Sequence, residues 1–469
     1  MGKKVFVFCI GGTGLRVMKS IMMLLSAGLK TNGYMIVPII LDPHNDLKEK
    51  KDLNNLIDEY RKIYDLSVKI NQSQKDNPLE GFFGVDVERL ENLNDQQNDT
   101  YTPIAEERSF ADFLGIENIG KTDVNNFFVK TLFSEANLNK SLSVGFKGNP
   151  NVGTVVLSEL VTGSAWFKAF KNHCQKDDRV FIISSIFGGT GASGYPLIEK
   201  LVHDEKDYPE VRDAIIGAVS VLPYFTLKDQ THTSSDIDSA TFLTKTKSAL
   251  TYYENNVKSH YMYYIGDKSM SATYDNNELE QKDTANFIEL VAASALFHFV
   301  KQEKPTTPQC FSRAIKEDVS SLSLSKLGDS YKPLIKAVAD MLMLRQLVKI
   351  LPEESQYPLI INRHWNDKFW KDESFETLKH YIANFEKWYE ELANNKRSFS
   401  ALNFDKNKDD ITNGFIKDMT IQGAKDITQY LLDIIIASNH DSEEKNDNHL
   451  RQLLKFSYKA INKYTSQLL

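Results

Sequence analysis

The feature that most constrains the fold is a strand that runs directly into a glycine cluster and then into a helix, between residues 178 and 203. Residues 180–186 form a largely apolar, β-branched run with the length of a buried strand, and residues 195–203 carry apolar side chains at helical spacing. Because glycine has no Cβ, the backbone N–H groups of such a turn can approach an anion at the helix N-terminus. The pattern predicts a phosphate site at Gly188, Gly189, Thr190 and Gly191.

The same four residues also fit a tight strand-to-helix turn that binds no ligand, and the motif alone leaves both interpretations open. A Walker loop is excluded, because no Gly-Lys-Ser/Thr follows the glycines at the required spacing. The phosphate site becomes the better interpretation if other segments of the chain also have the features of a phosphate-binding loop. Two such segments are present.

The first of them is a second strand–glycine loop–helix unit at the N-terminus. Residues 3–10 predict a strand, and residues 15–29 predict a helix with one apolar face. A dinucleotide-binding fingerprint is not complete here, because Val17 stands where Gly-x-Gly-x-x-Gly needs its third glycine. The residues between strand and helix are Gly11, Gly12, Thr13 and Gly14, and Arg16 is the polar side chain just beyond them.

An interior strand is predicted at residues 35–41, and its apolar run ends on Asp42. Pro38 removes one ladder donor from this strand, which is therefore expected to bend or to lie near a sheet edge. A carboxylate at the carboxyl edge of a parallel sheet, beside two phosphate loops, could hold Mg²⁺ through water. Asp42 could equally cap the next turn, and both roles stay open.

The second further segment is residues 145–153, which contain Gly148, Asn149 and Pro150 and precede a predicted helix at residues 154–174. Together with the two glycine loops, this segment resembles the tubulin/FtsZ superfamily. In FtsZ-like proteins a Gly-(Asp/Asn)-Pro-x-x-Gly segment contacts the terminal phosphate, a long helix follows it, and the phosphate signature comes next. The order of the pieces in this chain is the same.

The family's phosphate signature is Gly-Gly-Gly-Thr-Gly-(Thr/Ser)-Gly. Residues 188–191 match it, whereas Phe187 occupies the first glycine position and Ala192 and Ser193 replace the last two residues. The resemblance covers about residues 1–305. It implies an α/β fold, namely a doubly wound parallel sheet with the nucleotide at its carboxyl edge and a long, buried central helix, predicted here at residues 283–301.

The same resemblance implies two domains. Residues 1–305 would form the nucleotide-binding domain, with a polar insertion at about 46–140, and residues 306–469 would form a mainly helical C-terminal domain. The C-terminal half is not clearly matched by the family. Its helices are predicted from apolar spacing at residues 332–351, 374–394, 412–437 and 450–468, and its strands at residues 319–327 and 359–362.

The resemblance also implies the roles of the site residues toward GTP or GDP and Mg²⁺. The first glycine segment would line one side of the nucleotide, and the signature loop would cradle the β- and γ-phosphates. Asn286, near the start of the central helix, would face the guanine base, where an amide can both donate and accept hydrogen bonds. An ordinary helix-start residue is the alternative. The remaining assignments are Gly148 and Asn149 at the γ-phosphate, Arg16 beside the first loop, and Asp42 near magnesium.

The chain departs from the family after the central helix. Tubulin and FtsZ carry an Asn-x-Asp-x-x-Asp type loop there, whose acids complete the site of the neighbouring subunit. In this chain residues 302–309 hold a single carboxylate, Glu303, and the next acids are Glu317 and Asp318. Hydrolysis by the family's shared site therefore depends on whether Glu303 or Glu317 takes over that role.

Composition narrows the functional classes. The net charge of -7 over 469 residues argues against a general nucleic-acid binder, which needs a basic surface. The three cysteines lie far apart, which fits neither a disulfide framework nor a zinc site and is typical of a reducing cytoplasm. No apolar run reaches membrane-spanning length, so we expect a cytoplasmic protein without a membrane span.

Three functions remain in competition. The first is a guanine-nucleotide-binding protein that self-associates head to tail, as a homo-oligomer or filament, with weak or assembly-dependent GTP hydrolysis. The second is a non-hydrolysing, nucleotide-binding scaffold that docks a protein partner through its helical C-terminal half. The third is a Rossmann-type oxidoreductase, which the absent third glycine and the second glycine loop disfavour.

Overall fold

A computed structural model describes residues 2–43, 48–68, 79–93, 108–142, 146, 148–227, 239–267, 272–274, 284–315, 321–322, 332–352, 365, 367–395, 398–399 and 448–466. A six-stranded sheet forms the centre of this part of the chain, in the order β2-β1-β3-β4-β6-β8, and every neighbouring pair is parallel. Two further parallel pairs are short, β5 with β7 and β9 with β10. The strands are β1 (Lys4–Ile10), β2 (Met35–Leu41), β3 (Arg179–Ser185), β4 (Ile215–Val221), β5 (Phe225–Leu227), β6 (Tyr261–Asp267), β7 (Ala272–Tyr274), β8 (Gln309–Ile315), β9 (Ser321–Leu322) and β10 (Ser398–Phe399).

Helices connect and cover these strands. The α-helices are α1 (Gly11–Ser26), α2 (Lys48–Val68), α3 (Phe110–Phe113), α4 (Val124–Leu132), α5 (Glu135–Leu138), α6 (Pro150–Thr162), α7 (Ala165–His173), α8 (Gly189–His203), α9 (Pro209–Arg212), α10 (Ser239–Asn256), α11 (Phe287–Phe299), α12 (Lys332–Ile350), α13 (Asp367–Trp370), α14 (Glu373–Asn394) and α15 (His449–Thr465). Two 3-10 turns lie at Leu90–Leu93 and Ile116–Asn118.

The predicted α/β fold with a doubly wound parallel sheet is confirmed. All seven residues of β1 and of β3 are buried, as expected for parallel strands that are covered on both faces. The chain leaves β1 toward β2 and leaves β3 in the opposite direction, toward β4. Right-handed crossovers then place α1 and α8 on opposite faces of the sheet. β1 and β3 thus flank a topological switch point, where ligands of open α/β sheets bind at the carboxyl ends of the strands.

The predicted central helix is α11. Eleven of its thirteen residues are buried, so it is apolar on nearly all sides, and it packs along α1 on one face of the sheet. The predicted helix at residues 154–174 is in fact two helices, α6 and α7. Gly163 ends the first, and Ser164 caps the second by accepting a hydrogen bond from the Phe167 N–H.

Strand β8 of the main sheet was not predicted. β8 lies at the sheet edge, beyond the boundary that we placed at residue 305, and Gln, Ser and Arg interrupt its apolar residues. Such a run lacks the continuous apolar character by which a buried parallel strand is recognised. The C-terminal helices also contact the sheet domain, since the Tyr381 hydroxyl donates to the Met22 carbonyl at 3.0 Å. The division into two domains stays a prediction.

The helices predicted at residues 332–351, 374–394 and 450–468 correspond to α12, α14 and α15. Within the predicted strand at residues 319–327, the structure describes only β9. The strand predicted at residues 359–362 and the helix predicted at residues 412–437 lie outside the described residues.

Candidate functional site

The predicted glycine loops are the first turns of helices. α1 begins at Gly11, directly after β1, and α8 begins at Gly189, with Gly188 as its N-cap. α6 begins at Pro150, with Asn149 as its N-cap. None of these three helices has a side-chain hydrogen bond at its N-cap or an acidic residue in its first turn. The positive end of each helix dipole is therefore not offset by a local side chain.

These three helix starts lie against one another. Gly11 has a φ of +69°, and a Cβ built on it would lie 3.4 Å from the Thr190 Cβ and 3.5 Å from the Gly191 nitrogen. A Cβ built on Gly189 would lie 3.0 Å from the Gly148 nitrogen. Glycine thus allows the backbones of three separate segments to meet at one edge of the sheet. The structure brings together all three segments that the sequence singled out.

Gly14 has a different role. A Cβ on Gly14 would lie 2.8 Å from the Cys9 carbonyl carbon and 3.0 Å from the Ile183 carbonyl oxygen. The absence of a side chain here lets α1 pack closely on β1 and β3. Thr13 and Gly14 are both buried, whereas Gly12, Gly188 and Thr190 are half-buried or lie close to the surface and form the accessible part of the edge.

Asp42 lies beside the first glycine segment. Leu41 pairs with Ile10, so Asp42 and Gly11 leave neighbouring strands side by side. Asp42 is buried, and the buried Lys50 Nζ donates to its carbonyl oxygen at 3.2 Å. No sequence pattern pointed to Lys50, which stands in a polar helix without a motif. Among the described residues, no cluster of three or more His, Cys, Asp or Glu side chains is arranged to hold a metal ion.

The segment before α6 carries a second cation that the sequence did not indicate. Gly148 has a φ of +72°, and the Lys245 Nζ on α10 donates to its carbonyl oxygen at 2.8 Å. The half-buried Asn149 donates from its side-chain amide to the Phe146 carbonyl at 3.3 Å. Lys245 adds positive charge beside the start of α6.

Arg16 lies in a buried polar network. Its Nε donates to the Glu289 carboxylate at 2.8 Å, and one Nη donates to the Tyr224 hydroxyl at 3.1 Å. Tyr224 in turn donates to Glu289 at 2.6 Å, and Glu49 accepts from Arg16 at 3.3 Å. The guanidinium charge is therefore offset by protein carboxylates. A contact of Arg16 with a nucleotide stays a prediction.

Asn286 is the N-cap of α11. Its side-chain oxygen accepts from the Ile288 N–H at 2.9 Å, while Glu289 accepts from the Asn286 N–H at 3.0 Å, which completes a capping box. Because an N–H must point at the oxygen, the cap determines which way the amide faces. The Asn286 amide nitrogen is buried and has no hydrogen-bond partner among the described residues. What remains open at this position is a donor.

Glu303 lies at the opposite end of the sheet. Its carbonyl accepts from the hydroxyl of Tyr261, the first residue of β6, at 2.6 Å, and its own side chain is exposed. Seven-residue strands separate the two edges by about 20 Å. Glu303 therefore cannot reach the glycines of its own chain, and only a second copy could bring the two together. Glu317 lies outside the described residues.

Structural similarity to known proteins is found among solved structures. No protein-family model and no curated protein matches the chain. Among solved structures, the chain is similar to a GTPγS-bound protofilament of CetZ2 from Haloferax volcanii, with 11% sequence identity and a TM-score of 0.29. The similarity covers 63% of this chain and 55% of that chain, so this chain spans little more than half the length of its match.

The described helices also bear on membrane association. None of them combines the length and the apolar character that crossing a bilayer requires.

Proposed function

We propose that this chain is a tubulin/FtsZ-like guanine-nucleotide-binding protein that self-associates. The observation that carries the proposal is the meeting of three uncapped helix N-termini, those of α1, α6 and α8, at the switch point of a parallel sheet. Helix N-termini bind phosphate through free N–H groups and through their dipoles. Three of them around one point suit the several phosphates of a nucleoside triphosphate.

The residues at this edge fit a nucleotide. Gly188, Gly189, Thr190 and Gly191 would cradle the β- and γ-phosphates through backbone N–H groups and the Thr190 hydroxyl. Gly11, Gly12, Thr13 and Gly14 would line the other side, and Gly148 and Asn149 would lie at the γ-phosphate. Lys50 and Lys245 would add positive charge around the anion, where it offsets phosphate charge at short range.

Asn286 would recognise the base through its amide nitrogen. The side-chain oxygen accepts one hydrogen bond in the helix cap, and the amide nitrogen has no partner among the described residues, so we assign the ligand contact to this donor. A donor suits the O6 carbonyl of guanine and opposes the 6-amino group of adenine. This proposal is narrower than the role expected from sequence, in which one amide was to serve both as donor and as acceptor toward the base.

Magnesium would be held chiefly by the phosphates and water, as is usual when Mg²⁺ accompanies a nucleotide. Asp42 is the carboxylate beside the first glycine segment and would be its protein contact, directly or through water. The ion would supply charge neutralisation for the phosphates. Asp42→Asn should weaken the Mg²⁺ dependence of GTP binding and leave metal-free binding unchanged.

Hydrolysis would need two copies. Glu303 and the glycines lie at opposite edges of the sheet, so a head-to-tail contact would bring Glu303 of one copy to the nucleotide of the next. A head-to-tail contact that does not close into a ring would build filaments. Catalysis would then rest on positioning and electrostatics, as in other phosphoryl transfers.

The first experiment measures bound nucleotide and GTP turnover per molecule on the same samples, over a range of protein concentrations. We expect guanine nucleotide in near-stoichiometric amount and a turnover that rises steeply with concentration. Finding no guanine nucleotide under conditions that retain the folded chain would refute the proposal.

A complementation experiment tests the shared site directly. Thr190→Asp would disable the phosphate cradle and keep Glu303, whereas Glu303→Gln would keep the cradle and disable the acid. Each variant alone should hydrolyse GTP slowly, and a mixture should recover part of the wild-type rate because intact halves meet at some contacts. A mixture no faster than its components would exclude catalysis by Glu303 of a neighbouring copy.

A non-hydrolysing scaffold is the second candidate, and one observation favours it. Tubulin and FtsZ carry several acids in the loop after the central helix, whereas residues 302–309 of this chain hold one carboxylate, Glu303, with Lys301 and Lys304 close to it in the sequence. Bound GTP with negligible turnover that does not depend on concentration would select this function. The helical C-terminal part would then be examined for a protein partner.

A further inference from the structure

Helix α4 exposes an apolar face that nothing in the nucleotide site uses. Val124, Phe127, Phe128 and Leu132 are 80%, 74%, 58% and 55% exposed. Their spacing places them on one side of the helix. Four large apolar side chains on one exposed stripe differ from the single, scattered ones that are normal on a protein surface.

The opposite side of α4 is anchored to the protein. Asn126 is buried and donates to the Ile119 carbonyl at 3.3 Å. Val129 and Phe133 pack against the core, and the Phe133 ring lies 4.9 Å from that of Phe110. Asp123 caps the helix by accepting from the Asn125 N–H at 2.7 Å. The exposed stripe therefore belongs to a held helix and not to a frayed end.

We propose that the α4 face pairs with α4 of a second copy, as two antiparallel helices related by a two-fold axis near Phe128. In this arrangement Val124 of each copy meets Leu132 of the other, and the four aromatic rings fill the centre. The same patch then serves both partners, which is the form of contact that closed dimers use.

Charge selects the antiparallel arrangement. Asp123 lies at the N-terminus of α4 and Lys130 in its last turn, and neither is buried. Antiparallel pairing sets Lys130 opposite residue 126 of the second copy, about 4.5 Å along the axis from that copy's Asp123 at 1.5 Å per residue. A parallel pair would instead align like charges and the helix dipoles. Two Asp123–Lys130 contacts therefore form in the first case and none in the second.

The surface area buried in the α4 contact indicates how stable the dimer would be. The exposed parts of the four side chains sum to roughly 450 Å² per copy if an aromatic side chain presents about 200 Å². The pair then buries roughly 900 Å², below the roughly 1,200 Å² of stable specific complexes, so we expect a weak and transient dimer. The contact does not involve the nucleotide edge and forms with or without GTP.

Sedimentation velocity of the full chain without nucleotide, from about 1 to 100 µM, tests the proposal, because a weak dimer forms only at high concentration and the proposed head-to-tail contact is avoided. We expect a monomer–dimer equilibrium that Phe127→Glu weakens at least about 10-fold, because the charge would be placed at the centre of an apolar contact. Tyr252→Glu on α10 is the matched control, since Tyr252 is 52% exposed and lies outside the stripe. A wild-type chain that stays monomeric, or a dimer that Phe127→Glu leaves intact, would overturn the proposal.

Disulfide trapping tests the geometry. In a Cys310→Ser background, which removes the exposed cysteine, Phe128→Cys should form a covalent dimer across the two-fold axis under mild oxidation. Leu132→Cys alone should not, because the two introduced thiols would lie about 12 Å apart along the axis. Mixing Leu132→Cys with Val124→Cys should restore trapping. Equal trapping of Phe128→Cys and Leu132→Cys would contradict the antiparallel pair, whatever nucleotide the chain binds.

Discussion

The starts of α8 and α11 lie at the same edge of one sheet, yet they are built in opposite ways. α8 begins without a side-chain cap and without an acid in its first turn, as do α1 and α6. α11 begins with a complete capping box made by Asn286 and Glu289. A cap is worth about 1 kcal/mol, so three missing caps forgo stability that ordinary helices have. Departures from local rules of this kind are expected at functional sites.

The two kinds of helix start differ in which groups satisfy their hydrogen bonds. The capped start is sealed by protein side chains, because Glu289 accepts hydrogen bonds from Arg16, Tyr224 and the Asn286 N–H. The uncapped starts have no side-chain hydrogen bond at the N-cap, and their backbone N–H groups are the donors of the proposed phosphate site. At the start of α11, the Asn286 amide nitrogen is the polar group that no described residue satisfies. Three variants test this contrast, and a fourth tests the opposite edge of the sheet.

The largest effect is expected from Glu289→Ala. Glu289 is buried, and its removal takes from Arg16 its closest carboxylate and leaves the more exposed Glu49 beside it. Breaking a buried ion pair by removing one partner costs about 3–5 kcal/mol. Urea unfolding would measure this loss in the free energy of unfolding. Glu49→Ala is the control and should cost far less, and equal losses for both variants would show that Glu289 is not the centre of the network.

Thr190→Asp should separate binding from stability. An acid in the first turn of α8 stabilises the helix by about 0.3–1 kcal/mol and repels phosphate, so the free energy of unfolding should stay level or rise. GTP affinity, measured by calorimetry, should fall at least about 100-fold, or about 2.7 kcal/mol. Gly189→Val would not serve, because its Cβ would already lie 3.0 Å from the Gly148 nitrogen and disturb the fold.

Ser164→Asp is the matched control for Thr190→Asp. It changes the N-cap of α7, a helix start that is already capped. Aspartate caps as well as serine, so neither the stability nor the GTP affinity should change appreciably. Nucleotide affinity that is unchanged in Thr190→Asp would remove α8 from the proposed site.

Asn286→Ser should weaken the recognition of the guanine base and leave the stability of the fold nearly unchanged. Serine caps a helix about as well as asparagine, so the free energy of unfolding should change by less than about 0.5 kcal/mol. The donor toward the base is lost, and the preference for GTP over ATP should fall about 10-fold, as for one missing hydrogen bond. Asn286→Ala adds a lost cap of about 1 kcal/mol. An unchanged GTP preference in both variants would leave Asn286 as a cap alone.

The smallest effect is expected at the amino edge of the sheet, where His260 accepts from the Ile216 N–H at 3.1 Å. Burial, together with Lys304 and His203, lowers the pKa of His260 to about 4. A base with a lowered folded pKa contributes stability above its unfolded pKa of about 6.5, and this contribution is lost as the pH falls toward 4. Because the ring keeps some contact with water, we expect a loss on the order of 1 kcal/mol.

Unfolding curves between pH 7 and pH 4 would show the effect of His260. His260→Asn keeps an acceptor for the Ile216 N–H and does not titrate, so its stability should depend less on pH in this window. An identical pH dependence in the wild type and in His260→Asn would assign the acid sensitivity to other groups.

Local pattern was sufficient for the buried strands of the sheet and for the segments of the proposed site. The buried strands β1, β2, β3 and β4 are continuous apolar runs, and the glycines that follow two of them lie where helix starts meet. Edge strand β8 was not predicted, because an exposed strand can mix polar and apolar residues. The sequence also did not predict the roles of Lys50, Lys245 and Glu289, because no spacing distinguishes them from ordinary surface charges on helices.

The sequence alone was enough to predict the buried strands, the glycine turns and the apolar central helix, since these depend on periodicity and on the absence of a Cβ, which are local properties, whereas the fold class came from the family resemblance. Which side chains contact one another could be read only from the tertiary structure. Arg16 and Glu289 are 273 residues apart and meet because α1 packs along α11. The direction of the Asn286 amide and the placement of Glu303 at the far edge follow from the same packing, because contacts between distant segments are set by how elements assemble and not by their spacing along the chain.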